Sequence, residues 1–338
     1  MTAVGPEAGT TAPVRVAALI LSRNRPTELR RLVGCLLQQL RVPDEIVIVD
    51  NYDDPDACGR AVAGMPPEAT LRIVRPVHPV GTATGRDLAL AATSAELCLM
   101  LDDDLAIHDP TAVWQLVEMF GASGSADLGA VTFRVRAYGP APGLAVRTFQ
   151  RLYDGVKLLF FLRAVRPGDV SISHFQSDMR MMSGSGPVSW VQGGATMVRR
   201  EMAVEVGFDS RLELAPLAIS EDVDFGFRLS RRHRVEYRVG IESFNGHARP
   251  GGTGASWLTP RKKSYLTVRN YRYLVLKNLP GRRSRIASWW SLMGIGLYLA
   301  VAAVARRDDV SRESLRGWAS GVRDAARLHE RDRPGGAM

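Results

Sequence analysis

Cysteine is nearly absent. Cys35, Cys58 and Cys98 are the three in 338 residues. They are odd in number and set mostly among apolar neighbours, which excludes a disulfide frame and a metal knuckle and fits core thiols in a reducing compartment. A basic n-region is also missing. The N-terminus reads MTAVGPEAGTTAP, and the apolar run behind it is too short for a signal peptide, so residues 1–13 are expected to be disordered. No G-x-G-x-x-G follows the first strand-like run, which argues against a dinucleotide-binding Rossmann domain. The Ser22-Arg23-Asn24-Arg25-Pro26 stretch there is no glycine- and lysine-rich triphosphate loop either, which counts against a nucleotidyltransferase. Ala106 stands where a D-D-x-x-D motif needs its last acid, so a terpene-synthase aspartate motif fails as well.

Charge of one sign is lacking in the body and concentrated in the tail. The net charge is +9, yet residues 261–338 hold 17 Lys and Arg against 6 Asp and Glu, which leaves the preceding residues close to neutral. A basic tail suits an anionic membrane surface or a nucleic acid, although a solvated helical face is the cheaper explanation. We expect no nucleic-acid partner. Hydrophobic residues at 46% and charged residues at 23% are ordinary for a globular chain, and the length allows one large α/β domain with additions or two domains.

What is present is an alternation of strands and helices. Val14–Leu21 reads as a buried strand, with Pro26 at the first turn of a helix and Leu29, Leu32, Val33, Leu36, Leu37 and Leu40 at helical spacing behind it. Glu45–Val49 is a second strand leaving into Asp50-Asn51, and Leu71–Val74 a third. Gly81–Asp87 reads as a glycine-bearing loop leading into a helix over Leu88–Ala92. Leu97–Leu101 is an unbroken apolar run, the pattern of a strand buried on both faces, and Asp102, Asp103 and Asp104 follow it at once. Adjacent carboxylates repel one another, so a strand exit that holds three of them offers a cation or donor groups. Hard cations such as Mg²⁺ and Mn²⁺ take oxygen ligands and bridge to phosphates. The alternation predicts an α/β fold with a mostly parallel, doubly wound central sheet, and ligands in such sheets bind beyond the carboxyl ends of the strands. Ser22, Asn24, Asp50 and the three aspartates converge there.

These motifs in this order carry a resemblance. SRNRP after the first strand, VDN after the second, GTATGRD, and LDDD after the fourth are similar to glycosyltransferase family 2, with its GT-A fold. Downstream agree Gln192–Arg200 (QGGATMVRR), Glu221–Phe225 (EDVDF), Gly246-His247, Arg269-Asn270 and Lys277-Asn278. The resemblance covers about residues 14–280, with the flavour of rhamnosyl- and galactofuranosyltransferases. Tyr52-Asp53 stands where the family often has Gly-Ser, and Asp87 where Asn is usual.

The resemblance implies a nucleotide-sugar-binding half over 14–136, an acceptor half over 137–260, and a basic helical extension over 261–338. It implies that Asp104 binds a divalent cation, Mn²⁺ or Mg²⁺, with Asp102 and His247 as further ligands, while Asp102 and Asp103 also contact the ribose. Ser22 and Asn24 belong to the same donor site. Asp50 is implied to hydrogen-bond the base or ribose and Arg86 to pair with donor phosphate, with Gly81, Gly85 and Asp87 in the phosphate-approaching loop. Trp190, Gly193 and Gly194 would floor the donor sugar. In the Glu221-Asp222 pair the second acid would be the general base of an inverting transfer; helix capping is the plainer role for such acids.

The implied donor is a nucleoside-diphosphate sugar, dTDP- or UDP-linked. The implied acceptor is a hydroxyl on a glycan, a lipid-linked molecule or a small molecule. A non-catalytic nucleotide-sugar- or glycan-binding module of the same fold is the other class, as is a homodimer among assembly states. Ile286–Ala305 runs 20 residues without a charge between arginines. It is long enough to span a bilayer, but alanine, glycine and serine make its insertion drive modest. A buried or interface-lying helix is expected, on a cytoplasmic protein that can sit on the inner face of the membrane.

Overall fold

A computed structural model of the chain describes residues 14–65, 68–137, 154–214, 217–245, 259–279 and 281–330. Strands β1 (Val16–Ser22), β2 (Glu45–Asp50), β3 (Thr70–Val74) and β4 (Leu97–Asp102) are joined by helices α1 (Pro26–Leu37), α2 (Ala57–Val62) and α3 (Thr82–Ala91). Their pairings β2–β1, β1–β4 and β2–β3 are all parallel. After β5 (Leu105–Ala106) come α4 (Ala112–Gly121), β6 (Leu128–Ala137), β7 (Gly186–Pro187), β8 (Ala195–Arg199) and α5 (Arg200–Val206). Next are β9 (Glu213–Leu214), β10 (Leu217–Ala218), α6 (Glu221–Ser230) and β11 (Arg234–Asn245). The long helices α7 (Pro260–Asn278), α8 (Arg282–Arg306) and α9 (Asp309–Glu330) complete the described chain.

The main sheet runs β3-β2-β1-β4-β8-β6-β11-β5, with β7 on β11. It is mostly parallel, as expected, with β8 inserted antiparallel between β4 and β6. That insertion places a strand from the 137–260 half in the middle of the sheet, so the two halves share one continuous sheet.

Side chains alternate across β1 and sort into two cores. Val16, Ala18 and Ile20 pack with α1 and α4 on one face. Ala17 and Leu19 pack with α3, Val223 and Phe225 on the other. Cys58 and Cys98 are buried in these cores, and burial pushes both thiols up to about 12. One expectation needs correction. GTATGRD is not a loop: α3 begins at Thr82, because the Glu213 carboxylate accepts from Thr84 N at 2.6 Å and Thr84 Oγ1 at 3.0 Å and so satisfies the helix N-terminus.

Helix α7 is a clamp. Lys277 donates to Asp209 at 2.7 Å and to Asp224 at 2.9 Å, and Asn278 donates to Asp224 at 2.8 Å. Arg269 and Asn270 reach the backbone carbonyls of Arg211 and Leu212. Helix α9 lies against α7 with Gly317 and Gly321 at the crossing, where a Cβ would strike the backbone at Arg261 and Tyr265.

His174 is sealed beneath this clamp. Its Nε2 lies 2.9 Å from Asn278 Nδ2, its ring edge meets Phe227, and burial pushes its pKa down to about 4. The unfolded chain protonates this residue below the ordinary value of about 6.5, which the folded chain resists. Stability contributed here is therefore complete above pH 6.5 and lost as pH falls through 4, by roughly 3 kcal/mol. Urea midpoints of the wild type should drop between pH 6.5 and 4 more steeply than those of His174→Gln. Parallel curves would show that the imidazole is not the group responsible.

Candidate active site

The parallel register brings the strand exits to one level, with Ser22 beside Asp50 and Leu21 beside Asp102. Ser22 Oγ donates to Asp103 Oδ2 at 2.8 Å and lies 2.9 Å from the Tyr52 hydroxyl. Arg25 Nη1 donates to Asp103 Oδ1 at 3.0 Å and to Asp104 Oδ2 at 3.2 Å. Asn24, at φ 53°, adopts a left-handed turn that asparagine tolerates. It ties the first strand exit to the second through Asp53.

The three aspartates part company here. The Asp103 and Asp104 side chains are 6% and 7% exposed, whereas Asp102 is 54% exposed. Burial pushes Asp103 up to about 6 despite the opposing pull of Arg25 and Ser22.

Asp50 has two partners within the chain. It accepts from Tyr52 N at 2.8 Å and from Arg75 Nη1 at 2.7 Å, which locks the turn after β2. Asp87 accepts from Phe208 N at 3.1 Å, so it braces the chain after α5. Gly85 leaves room for Leu21, whose Cδ2 would lie 2.7 Å from a Cβ, and Gly81 for Glu213. These two glycines serve packing of side chains.

The second half of the site forms where α3, β8 and α6 meet. Arg86, 6% exposed, donates to Glu221 Oε1 at 2.8 Å and lies 3.6 Å from Asp102 Oδ1. Its charge is held by carboxylates, since Asp102, Glu221 and Asp222 crowd one small volume and need a cation. Glu221 also accepts from Thr82 Oγ1 at 2.9 Å. Asp222 is steered by two backbone donors, Gly193 N at 3.2 Å and Val223 N at 2.8 Å. Burial first, and then the Glu221 charge, push Asp222 up to about 6.

Just before this pair, Ser220 sits at φ 68°, a strained conformation of the kind that collects at functional sites. Gly193 and Gly194 are required by close approach: a Cβ on the first would overlap the Arg86 guanidinium, and on the second the Asp102 carboxylate. Asp224, two residues on, is instead a structural ion, fully buried and held down in pKa by Lys277 and Arg228. Trp190 Nε1 donates to the Ser177 carbonyl at 3.1 Å. Its side chain lines a cavity of about 360 Å³ together with Gln192, Asp154, Lys157, Arg163 and Gln176.

The donor atoms suit a hard divalent cation. Among the described residues no three His, Cys, Asp or Glu side chains converge to enclose an ion by themselves. Mg²⁺-type sites, however, are commonly completed by one or two carboxylates and substrate phosphates. Asp102, open and oxygen-bearing, offers that partial set with Asp104 near it in sequence. Gly246 and His247 lie outside the described residues.

Residues 18–205 match the model of Glycosyl transferase family 2. The chain belongs to glycosyl transferase family 2. Solved structures agree on the fold of this family 2 chain. A mannosyltransferase, PcManGT from Pyrobaculum calidifontis in complex with GDP-Man and Mn²⁺, is 16% identical with a TM-score of 0.55, covering 96% of this chain and 89% of that one. S. aureus TarS 1–349 in complex with UDP-GlcNAc is 12% identical with a TM-score of 0.55, covering 95% and 92%. GalNAc-T7 with UDP, GalNAc and Mn²⁺ is 12% identical with a TM-score of 0.54, covering 78% of this chain and 48% of that one. The fold is GT-A. No curated protein matches the chain.

Sequence reasoning did not assign roles to Arg25, Tyr52, Arg75 or Glu213. Arg25 carried a usable signal, as a cation at one strand exit facing three acids at the next.

Proposed function

We propose that this family 2 chain is an inverting, metal-dependent glycosyltransferase that moves a hexosyl or deoxyhexosyl group from a dTDP- or UDP-sugar to an acceptor hydroxyl. The observation that supports it most is the single Arg86 guanidinium joining Glu221, next to Asp222, to Asp102 at the strand exit. Donor-side and acceptor-side carboxylates are thereby fixed in one constellation. The ligands of PcManGT and GalNAc-T7 support a nucleotide-sugar donor with Mn²⁺ for this chain as well.

In the proposed reaction the acceptor oxygen forms a bond to the anomeric carbon while the bond from that carbon to the diphosphate oxygen breaks. The diphosphate leaves with the electron pair, and the acceptor proton goes to Asp222. The base suits this work because burial and the Glu221 charge raise it to about 6, which makes it a stronger proton acceptor than an ordinary carboxylate, and its two backbone hydrogen bonds hold it still. Arg86 prevents Glu221 from repelling the developing charge. Asp102 and Asp104 would hold the cation, which supplies neutralisation of the leaving diphosphate when bound. Ser22, Arg25 and Asp103 form a rigid wall behind them for the nucleoside end.

Nucleotide release should be measured across dTDP- and UDP-sugars with Mn²⁺ and with chelator. We expect release from at least one donor in Mn²⁺ and loss of it on chelation. The absence of both binding and release with every donor would overturn the enzyme reading.

A further inference from the structure

We infer that the exposed face of α8, with the 156–161 stretch packed beside it, seats the protein in the plane of an anionic phospholipid bilayer and so presents the cavity under Trp190 to a lipid-linked acceptor. The acceptor clause rests on the glycosyltransferase reading; the docking does not.

Helix α8 has two faces of different kinds. Ala287, Ser288, Ser291 and Leu292 are buried against neighbouring elements. Ile286, Trp289, Trp290, Met293, Leu297, Val301 and Val304 are exposed, between 40% and 75%. Those positions recur at three- and four-residue steps, which is one stripe of a helix. A 25-residue helix is about 37 Å long, so the stripe is far longer than a chance patch.

The stripe continues onto the neighbouring stretch, where Val156, Leu159 and Phe161 are 45%, 62% and 41% exposed. The two are bolted together. Trp290 Nε1 donates to the Leu159 carbonyl at 2.8 Å, Ser291 Oγ to the Phe160 carbonyl at 2.6 Å, and the Phe160 and Trp290 rings stack at 5.2 Å. Gly294 admits the Phe160 ring where a Cβ would overlap it.

Charge selects the occupant. Exposed Arg282, Arg283 and Arg285 end the stripe on one side and Arg307 on the other, and Arg272 stands 4.5 Å over the Trp289 ring. An apolar band with basic ends and tryptophans at its margin matches an anionic interface. A second copy laid antiparallel on this face would set arginines against arginines. Helix α8 is long and apolar enough to cross a membrane, but crossing would strip it from Phe160 and from Trp318, whose Nε1 donates to the Leu292 carbonyl at 3.0 Å. Lying in the interface keeps every one of these contacts.

The consequence for the site comes from the same short stretch. Its outer side chains, Leu159 and Phe161, join the stripe, while Asp154, Lys157 and Arg163 line the cavity with Trp190 and Gln192. Gln192 precedes Gly193, the residue whose N–H holds Asp222. A hydroxyl carried on a membrane lipid can therefore reach the base along one wall, its headgroup among polar side chains and its chain left in the bilayer.

Sedimentation of the full chain with vesicles tests this. Phosphatidylglycerol–phosphatidylcholine vesicles should bind it at low salt, with binding fading at high salt as the charges are screened; phosphatidylcholine alone should bind at least about tenfold more weakly. Met293→Glu/Leu297→Glu/Val301→Glu should weaken binding to the anionic vesicles by about tenfold or more, with an unchanged melting temperature and unchanged Mn²⁺-dependent nucleotide release to water. No binding at low salt, binding indifferent to the triple variant, release by detergent alone, or a dimer that the triple variant abolishes without vesicle binding would each overturn the proposal. Vesicle binding without nucleotide release would leave docking standing and remove the glycosyltransferase reading.

Discussion

Replacing Asp222 by asparagine should leave donor affinity within a few fold and lower turnover by a factor of about 10² to 10⁴, the range for losing general-base assistance. The amide keeps the shape of the carboxylate and one of its two backbone hydrogen bonds, from Val223 or from Gly193, but cannot take a proton. The wild type carries its own internal check. With burial pushing Asp222 up to about 6, the active species is the deprotonated one, so kcat/KM should fall about tenfold per pH unit below 6 and level off above it. That acid limb should vanish in the variant along with the rate. Turnover within a few fold of wild type, or a limb that persists unchanged, would return Asp222 to the role of a helix cap and move the base to Glu221. Asp224 is a poor substitute, because its oxygens are occupied by Lys277, Arg228 and Asn278.

Asp104→Ala and Asp102→Asn should each weaken Mn²⁺-dependent donor binding by a hundredfold or more, since even an outer-shell partner of a metal ligand is typically worth about ten- to hundredfold. The two variants should differ in their side effects. Asp104 shares Arg25 with Asp103, so its loss leaves Arg25 to Asp103 alone and should lower stability slightly. Asp102 is half open, so its neutral replacement should leave folding nearly untouched and make Arg86 more available to a phosphate. Titration calorimetry with donor, with and without Mn²⁺, separates these effects. Donor affinity in Mn²⁺ unchanged by both substitutions would show that the cation, if any, is held elsewhere.

Much of this was legible in the chain itself, and the limits have physical causes. Strand and helix order followed from apolar runs and from Pro26, and the strand-exit position of Asp102 followed from its place behind Leu97–Leu101. Where reading failed, the missing partner was distant. GTATGRD looks like a loop because of its glycines, but Glu213, 129 residues from Thr84, supplies the carboxylate that starts the helix there. The partners of Arg86 and Asp50 are out of reach for the same reason: nothing local shows that Glu221 and Asp102 meet Arg86, or that Arg75 closes on Asp50. In the sequence Asp222 is set apart from Asp224 only by its place in the Glu221-Asp222 motif; the tertiary fold separates them physically, because burial and the Glu221 charge raise Asp222 while Lys277 and Arg228 hold Asp224 down.

Lys277 has one more implication. It joins Asp209 after α5 to Asp224 on α6, and α6 begins with Glu221 and Asp222. The first of the three C-terminal helices is thus tied into the body of the fold, although the basic composition of all three sets them apart in sequence. A piece ending before Pro260 would take one of two cations from each of the buried anions Asp209 and Asp224, behind the helix that begins with Glu221 and Asp222. Trimming this protein for convenience would therefore soften its chemistry from behind.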